Sequence, residues 1–267
     1  MGKDGRKDLL IIIPAYNEEN DIGVTLDGLE ACGVTEWADV LVMNDASEDR
    51  TAEIVREHGC QMVTHIYNMG YGSGLQVGYK YADRQGYDYV IQMDADGQHD
   101  ACNIRGIYDR LKLGNDGDGR PDIVLGSRFV EGSQTFPVSF AKRIAYQFFR
   151  ILIRLGSGRR IQDPTTGLQG LSRRAFSYYS RYQNFDDQYP DANMIMQMLL
   201  LGFRVEEVPA VMHARRGGVS MHRGLRPVVY MFRMVYSIIA VWMRIRLFKA
   251  EKLRTGAAEP VSGGVRK

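Results

Sequence analysis

Two carboxylates that could share a metal ion follow an apolar run in the segment QMDADGQHD. Asp94 and Asp96 stand two residues apart directly after that run. Mg²⁺ commonly takes one or two carboxylates and completes its coordination with substrate phosphate oxygens, so this pair could hold a divalent ion against a diphosphate. A capped acidic turn would have the same sequence, because D-x-D often occurs by chance.

Two further polar segments could contact a ligand. In VMNDASEDRT we expect Asp45 to accept hydrogen bonds from a base or a ribose, and Asp49 to cap the helix that follows. The segment NMGYGSGLQVG resembles a phosphate loop, but Leu75 breaks the G-x-G-x-x-G spacing after Gly70 and Gly72. Close packing of the backbone at a turn is the better interpretation of these glycines.

The apolar runs predict the elements that position these segments. The first run, Leu9 to Tyr16, has the length of a strand buried on both faces, which indicates a parallel sheet. Similar runs recur at Val40–Met43, Met62–His65, Tyr89–Met93 and Ile123–Leu125. Helical stretches lie between them, such as Asp21–Cys32 and Gly74–Arg84. This alternation predicts an α/β fold built from βαβ units.

Ligands of open α/β sheets bind outside the carboxyl ends of the strands. The segments that follow the apolar runs are therefore expected to face one crevice: Pro14–Glu18, Asn44–Asp49, Asn68–Gly74, Asp94–Gln98 and Gly126–Arg128. They are the most polar and glycine-rich parts of this half of the chain, as a ligand site requires.

Composition narrows the class of protein. The 267 residues are enough for one α/β domain, and a net charge of +2 gives no electrostatic case for a nucleic-acid partner. Cys32, Cys60 and Cys102 are scattered without metal-ligand spacing, so we expect reduced thiols in a cytosolic protein. Asp4 and Asp8 stand where a signal peptide would be apolar, which predicts a chain that is not exported.

A basic amphipathic helix is predicted in SFAKRIAYQFFRILIRLG. Its polar face carries Arg143, Gln147, Arg150 and Arg154. The adjoining apolar stripe consists of Ile144, Phe148, Ile151 and Leu155. Such a helix suits a membrane surface, although a stripe that faces the core, with solvated arginines, would have the same pattern.

A second basic segment, VVYMFRMVYSIIAVWMRIRLFK, has Arg226, Arg233 and Arg244 on one face. Its longest uncharged run, Met234–Met243, has ten residues, too few to span a bilayer. From Arg215 to Arg254 there are ten Lys or Arg and one acid, a balance that attracts anionic lipid. We expect it to bind an anionic membrane surface. The alternative is a helix that packs on a second copy or on an integral membrane partner.

The order of the motifs carries a family resemblance. IIIPAYNEEN, VMNDASEDRT, NMGYGSG, DADGQHD, GSRF and DPTTGLQG follow one another as in the family 2 inverting glycosyltransferases of the GT-A fold, which residues 8–222 resemble. An Arg-bearing helix and a basic R-x-G-G-x-S loop make the chain look most like the dolichyl- and polyprenyl-phosphate sugar synthases.

The resemblance implies a mostly parallel sheet flanked by helices and three groups of site residues. A nucleotide pocket would be formed by Pro14, Ala15, Tyr16, Glu18 and Asp45. Mg²⁺ or Mn²⁺ and the diphosphate would be held by Asp94, Asp96 and Gln98. The acceptor phosphate would meet Arg128, Arg143 and Arg215, with Ser220 nearby. Asn44 and Met221 stand where the family usually has Asp and Lys.

The resemblance also implies a domain organisation. Residues 1–222 would form the catalytic domain, including the amphipathic helix at about 139–155. Residues 223–253 would form the membrane-surface helix, and residues 254–267 a disordered tail that lacks enough apolar surface to fold.

The implied function is sugar transfer from a UDP- or GDP-linked donor to a polyprenyl phosphate, by a peripheral protein at the cytoplasmic face of a membrane. A phosphate monoester has its second pKa near ~6, so this acceptor is already an oxyanion and needs no base. A saccharide hydroxyl is the alternative acceptor and would need one, with Asp187 or Asp191 as candidates. A non-catalytic nucleotide-sugar binding protein is the third interpretation, against which Asp94, Asp96 and Arg128 argue.

Overall fold

The computed structural model describes residues 7–113, 119–136, 140–188, 190–214 and 226–255. Within them seven strands form one sheet: β1 Leu9–Ala15, β2 Asp39–Asn44, β3 Gln61–Thr64, β4 Tyr89–Gln92, β5 Ile123–Ser127, β6 Gln169–Ser172 and β7 Val205–Pro209. The α-helices in these ranges are α1 Ile22–Ala31, α2 Thr51–Glu57, α3 Tyr71–Gln85, α4 Asn103–Leu113, α5 Phe140–Ser157, α6 Arg173–Tyr179, α7 Ala192–Leu200 and α8 Arg226–Thr255.

The sheet is mostly parallel, which confirms the predicted α/β fold. Its strand order is β3-β2-β1-β4-β6-β5-β7, and β6 runs antiparallel to β4 and β5. The chain winds outward from β1 to β3 and then places β4 on the other side of β1. The winding therefore reverses between β1 and β4, and open α/β sheets bind their ligands at this kind of position.

The first strand shows why the sequence forms this architecture. All seven residues of β1 are buried. Leu10 and Ile12 pack into the apolar core on one face of the sheet, and Leu9, Ile11 and Ile13 pack into the core on the other. Alternating side chains point to opposite faces of a strand, so an unbroken apolar run is what a strand covered by helices on both faces requires.

Helices α5 and α8 confirm that the two predicted basic segments are helical. Helix α8 contacts α7 and α5, and it buries Met234, Ile238 and Ile245. Among the residues that the structure describes, no helix is long and apolar enough to cross a membrane. Arg215, Ser220 and Met221, and all of the predicted tail except Arg254 and Thr255, lie outside the described residues.

The prediction of three reduced thiols is wrong for two of them. Cys32 and Cys102 form a disulfide, with their Cα atoms 5.4 Å apart, whereas Cys60 is a half-buried free thiol. The two bonded residues are 70 positions apart in sequence. The fold brings them together because Cys32 directly follows α1 and Cys102 directly precedes α4, two helices on the same face of the sheet. Spacing along the chain carries no information about that proximity.

Candidate active site

A large cleft opens at the carboxyl ends of β1, β2 and β4. Four of the five segments that were predicted to share a crevice contribute to its lining, from the loops around Tyr16, Asp45, Gly70 and Asp94. The fifth, Gly126–Arg128, is not part of the lining within the described residues. The opposite wall comes from residues 165–167, from the loop that contains Asp187 and Asp191, and from Tyr230 and Arg233 of α8.

Asp94 and Asp96 line this cleft together, as predicted. The Tyr71 hydroxyl donates a 2.8 Å hydrogen bond to Asp94 Oδ1, and His99 Nε2 lies 3.5 Å from Asp94 Oδ2. Burial alone would raise the pKa of Asp94, but His99, Tyr71 and the charge of Arg128 outweigh it and lower this pKa. Asp94 is therefore a charged, oriented carboxylate.

Charged carboxylates of this kind fit a divalent cation. Asp94 and Asp96 would hold Mg²⁺ or Mn²⁺ and leave positions for substrate oxygens. When bound, such an ion supplies positive charge to a leaving diphosphate. Gln98 uses its backbone N–H to donate to Asp96 Oδ1, at 3.1 Å, and its carbonyl accepts from the N–H of His213. Gln98 is outside the cleft lining, and its role as a metal ligand stays a prediction.

Gly167 fixes the position of the Asp94 carboxylate from the other side. A Cβ atom at Gly167 would overlap with all three carboxyl atoms of Asp94. We expect Gly167→Ala to displace this carboxylate and to lower the transfer rate by at least about tenfold, since misplacement by ~1 Å can cost 10²-fold.

The control for this substitution is Gly106→Ala in α4, where a Cβ has no neighbour within 4 Å. That variant should keep full activity and gain about 0.5–1 kcal/mol of stability from the better helix former. Steady-state rates and thermal unfolding of both variants test the expectation. Full activity in Gly167→Ala would mean that the position of Asp94 is not critical.

Pro14, Ala15, Tyr16 and Glu18 line the cleft together, and their binding of a nucleotide stays a prediction. Tyr16 is 44% exposed, which leaves its ring available to a planar ligand. This part of the lining follows β1 directly, so the strand that is buried most completely positions it.

Asp45 also lines the cleft, but its carboxylate makes internal hydrogen bonds. It accepts from the backbone N–H groups of Met69 and Gly70, both at 2.8 Å, and lies 2.7 Å from His65 Nδ1. Asp45 thus fastens the glycine-rich loop, and its contact with a base or ribose stays a prediction. Asp49 accepts from the N–H of Thr51, at 2.9 Å, which holds the start of α2 as predicted.

The glycines of that loop confirm the prediction of close backbone packing. A Cβ at Gly72 would overlap with the backbone of Asp187. Only glycine therefore lets the start of α3 approach the loop that contains Asp187.

Arg128 lies beside the cleft as one half of a buried ion pair. Its Nη2 is 2.5 Å from Asp163 Oδ1, and Asp163 is completely buried. The same guanidinium donates to Tyr146 and to Thr165 Oγ1. Burial alone would lower the pKa of Arg128, but the pair with Asp163 raises it. Because Thr165 lines the cleft, the pair supports the wall of the site.

Arg143 is exposed on α5 and is not part of the described cleft lining. Sequence reasoning gave no role in the site to His99, Tyr230 or Arg233, and it placed Tyr71 in the crevice, within Asn68–Gly74, without assigning it a role. Only His99 had a local signal, since it follows the acidic motif in QMDADGQHD. Tyr230 and Arg233 are recognisable only once the fold brings α8 to the cleft.

The surroundings of Asp191 raise the pKa of its carboxyl group strongly. Burial raises its pKa from 3.8 to about 7, although the hydrogen bond that Tyr230 donates and the charge of Arg128 act in the opposite direction. A carboxylate with a pKa near neutrality suits a general base. Asp187, the other predicted candidate, lines the same cleft.

This pKa predicts how stability changes with pH in the protein without metal or donor. Between pH 3.8 and about 7 the folded state keeps a proton on Asp191 that the unfolded state has released, so stability falls as pH rises through this window. We expect Asp191→Asn to remove that loss and to raise Tm at pH 8, relative to wild type, by on the order of 2–5 °C. Tyr230→Phe removes a hydrogen bond to the charged form and should steepen the fall. Parallel curves of Tm against pH for wild type and Asp191→Asn would contradict this.

Comparison with known proteins places these features in a family. The sequence model described as Glycosyl transferase family 2 matches residues 10–180, more than half of the chain. The sheet, its helices and the acidic motif after β4 thus define a glycosyltransferase of the GT-A fold. The chain belongs to glycosyl transferase family 2.

Relatives that are named for an activity are similar to this chain over most of their length. Polyprenol monophosphomannose synthase of Mycolicibacterium smegmatis is 26% identical, over 90% of this chain and 89% of its own. Dolichyl-phosphate hexose transferase of Haloferax volcanii is 28% identical, over 80% and 86%. Glucosyl-3-phosphoglycerate synthase of Mycobacterium tuberculosis, crystallised with Mn²⁺ and UDP, has a TM-score of 0.61 at 17% identity, over 90% of this chain and 80% of that one, which shows a shared fold.

Proposed function

We propose that this glycosyltransferase moves a sugar from a nucleotide-diphosphate sugar to the phosphate of a polyprenyl phosphate at a membrane surface. One observation carries the proposal: helix α8 contributes Tyr230 and Arg233 to the cleft that contains Asp94 and Asp96, while other residues of α8 expose large apolar side chains. The reaction site and a lipid-compatible surface therefore meet on one helix. The activities for which the relatives from M. smegmatis and H. volcanii are named support this substrate class.

The reaction joins an acceptor phosphate oxygen to the anomeric carbon and breaks the bond from that carbon to the donor's diphosphate. The attacking oxygen is already charged, so no protein group has to remove a proton. Because the oxygen attacks from the side opposite the leaving group, the configuration of the anomeric carbon is inverted. Asp94 and Asp96 would bind the divalent ion, and Tyr71 and His99 orient Asp94. The nucleotide would lie along Pro14–Glu18.

The membrane-facing surface would consist of exposed apolar side chains on two helices. On α5 these are Ile144, Phe148, Ile151 and Leu155. On α8 they are Phe232, Tyr236, Ile239, Trp242, Met243 and Leu247. Arg143 and Arg154 are exposed beside the α5 group. A surface that combines large apolar side chains with cations is typical of proteins that bind anionic lipid interfaces.

We expect the protein to sediment with vesicles that contain phosphatidylglycerol, and salt to weaken this binding by screening its charges. Leu155→Ser on α5 and Leu247→Ser on α8 should each lower the bound fraction at intermediate lipid concentration. Leu113→Ser is the matched control, because Leu113 is as exposed, at 79% against 78% and 68%, but lies on α4. Equal sedimentation of all three variants, or binding to neutral vesicles that is insensitive to salt, would contradict the prediction.

A second acceptor class is favoured by one observation. Asp191 lines the cleft with its pKa raised to about 7 by burial, which suits a base that removes a proton from a sugar hydroxyl. A family 2 enzyme that extends a saccharide would use it in this way. The two functions therefore differ in whether a carboxylate acts as base.

The proposed function is tested by release of nucleoside diphosphate from a panel of UDP- and GDP-linked sugars. Each donor is assayed with farnesyl phosphate, with farnesol and with simple saccharides, and with and without EDTA. We expect one donor to give release that needs both the prenyl phosphate and a divalent ion. Release with a saccharide but not with the prenyl phosphate would overturn the proposal in favour of the second acceptor class.

A further inference from the structure

The cleft has an unusual balance of charge for a site that must bind phosphates. Ten carboxylates line it among the described residues: Glu18, Glu19, Asp21, Asp45, Glu48, Asp49, Asp94, Asp96, Asp187 and Asp191. Among the same described lining residues, Arg233 is the one Lys or Arg. A divalent ion at Asp94 and Asp96 would serve the donor's diphosphate. A second phosphate group in the cleft requires a cation of its own.

Two of the arginines that the sequence suggests for this role, Arg128 and Arg143, are outside the described cleft lining, and the third, Arg215, is outside the described residues. Arg233 is exposed and is part of the lining. It follows Tyr230 by nearly one helical turn, and the Tyr230 hydroxyl donates a hydrogen bond to Asp191. That hydrogen bond fastens this turn of α8 to the loop that contains Asp191, on the same wall of the cleft.

The side chains around Arg233 match an amphipathic ligand. Phe232 is 74% exposed and Tyr236 is 75% exposed. They are four residues apart, so they are neighbours on the surface of α8, and Arg233 adjoins them. A phosphate bound by Arg233 would leave a prenyl chain free to lie on these two aromatic side chains. The guanidinium itself can bind a phosphate through two parallel N–H donors.

We infer that Arg233 binds the phosphate group of the lipid acceptor and thereby makes α8 part of the acceptor site. This inference rests on the proposed function. It assigns to one helix both the contact with the membrane and recognition of the nucleophile. It also separates the two anionic groups of the reaction, with the donor's diphosphate at Asp94 and Asp96 and the acceptor's phosphate at Arg233.

The test compares Arg233→Ala, Arg233→Lys and Arg246→Ala in non-ionic detergent with farnesyl phosphate and the donor that the panel identifies. We expect Arg233→Ala to raise the KM for farnesyl phosphate by about 10- to 100-fold, or about 1.4 to 2.7 kcal/mol, and Arg233→Lys to recover part of this. Calorimetric binding of the nucleoside diphosphate with Mn²⁺ should change by less than about threefold, because the inference places Arg233 away from the donor.

Arg246→Ala is the charge control. Arg246 lies on the same helix, stacks over the Trp242 ring and is outside the described cleft lining, so its loss should leave the KM for farnesyl phosphate in detergent within about threefold of wild type. An equal rise in KM for Arg246→Ala would show a general charge effect and overturn the inference. So would an unchanged KM in Arg233→Ala, or weaker binding of the nucleoside diphosphate as large as the rise in KM. A wild-type enzyme that does not use farnesyl phosphate at all would refute the proposed function itself.

Discussion

Asp94→Asn and Asp96→Asn are each expected to abolish detectable sugar transfer. The two carboxylates line the cleft directly after β4, and hydrogen bonding and charge keep Asp94 ionised. Each substitution removes one negative ligand from a site whose ion must stabilise the leaving diphosphate. Loss of one preorganised electrostatic contact costs about 10²–10³-fold in rate, and loss of the ion would cost more. The measurement is steady-state turnover with Mg²⁺ and with Mn²⁺.

Donor binding gives a second measurement that does not depend on turnover. We expect both variants to lose most of the dependence of nucleoside diphosphate binding on Mn²⁺, as followed by calorimetry. Asp109→Asn is the control, since Asp109 is an exposed carboxylate on α4 that pairs with Arg105. It should retain wild-type turnover and metal dependence. Near-normal turnover of both Asp94→Asn and Asp96→Asn would show that the metal site lies elsewhere.

The sequence was sufficient to predict which loops line this cleft, because the lining follows directly from strand order and strand ends. Long apolar runs indicate strands such as β1, and polar residues after them must lie at one edge of a parallel sheet. The loops after β1, β2 and β4 do meet there. Local patterns therefore locate this part of the cleft lining, including Asp94.

Two strands escape prediction because the contacts that hold them in the sheet come from residues distant in sequence. In β6 the small residue Gly170 makes room for Ile107 and Leu111 of α4, so a buried strand carries little apolar sequence. In β7 the run VEEVP looks solvent-facing, yet Glu206 pairs with Arg110, at 2.6 Å. An apolar pattern cannot signal either strand.

The wall of the cleft to which α8 contributes is difficult to predict for the same reason. GSRF looks like a phosphate-binding segment, but its arginine is paired with Asp163, 35 residues away. Arg233 looks like one of several cations on a basic helix, and only the packing of α8 on α7 brings it to the cleft. Whether a charged side chain meets a ligand or an internal partner is decided by tertiary contacts that one-dimensional spacing does not contain.

The second large effect expected concerns the nucleophile. With farnesyl phosphate as acceptor, Asp187→Asn and Asp191→Asn should retain substantial turnover, because the attacking phosphate oxygen has no proton to lose. Arg233→Ala should lose acceptor turnover, as inferred above, and so should Arg215→Ala, if that cation helps to hold the phosphate as the family resemblance implies. A charge-assisted hydrogen bond contributes about 1.5 to 3 kcal/mol, so a loss of about 10- to 100-fold in kcat/KM is expected.

An enzyme whose acceptor is a saccharide would show the opposite ranking of the Asp and Arg variants. Removing a general base typically costs about 10²–10⁴-fold, so one Asp variant would be almost inactive and the two Arg variants would be mild. Asp191 is the stronger candidate for that base, because burial raises its pKa to about 7 and Tyr230 orients it. A pH profile separates a base from a structural role. If Asp191 acts as base, wild-type kcat/KM should fall below pH 7 and Asp191→Asn should lose that dependence together with its activity. If the lipid phosphate attacks unaided, Asp191→Asn should keep both its turnover and the profile that the acceptor's own titration near pH ~6 imposes.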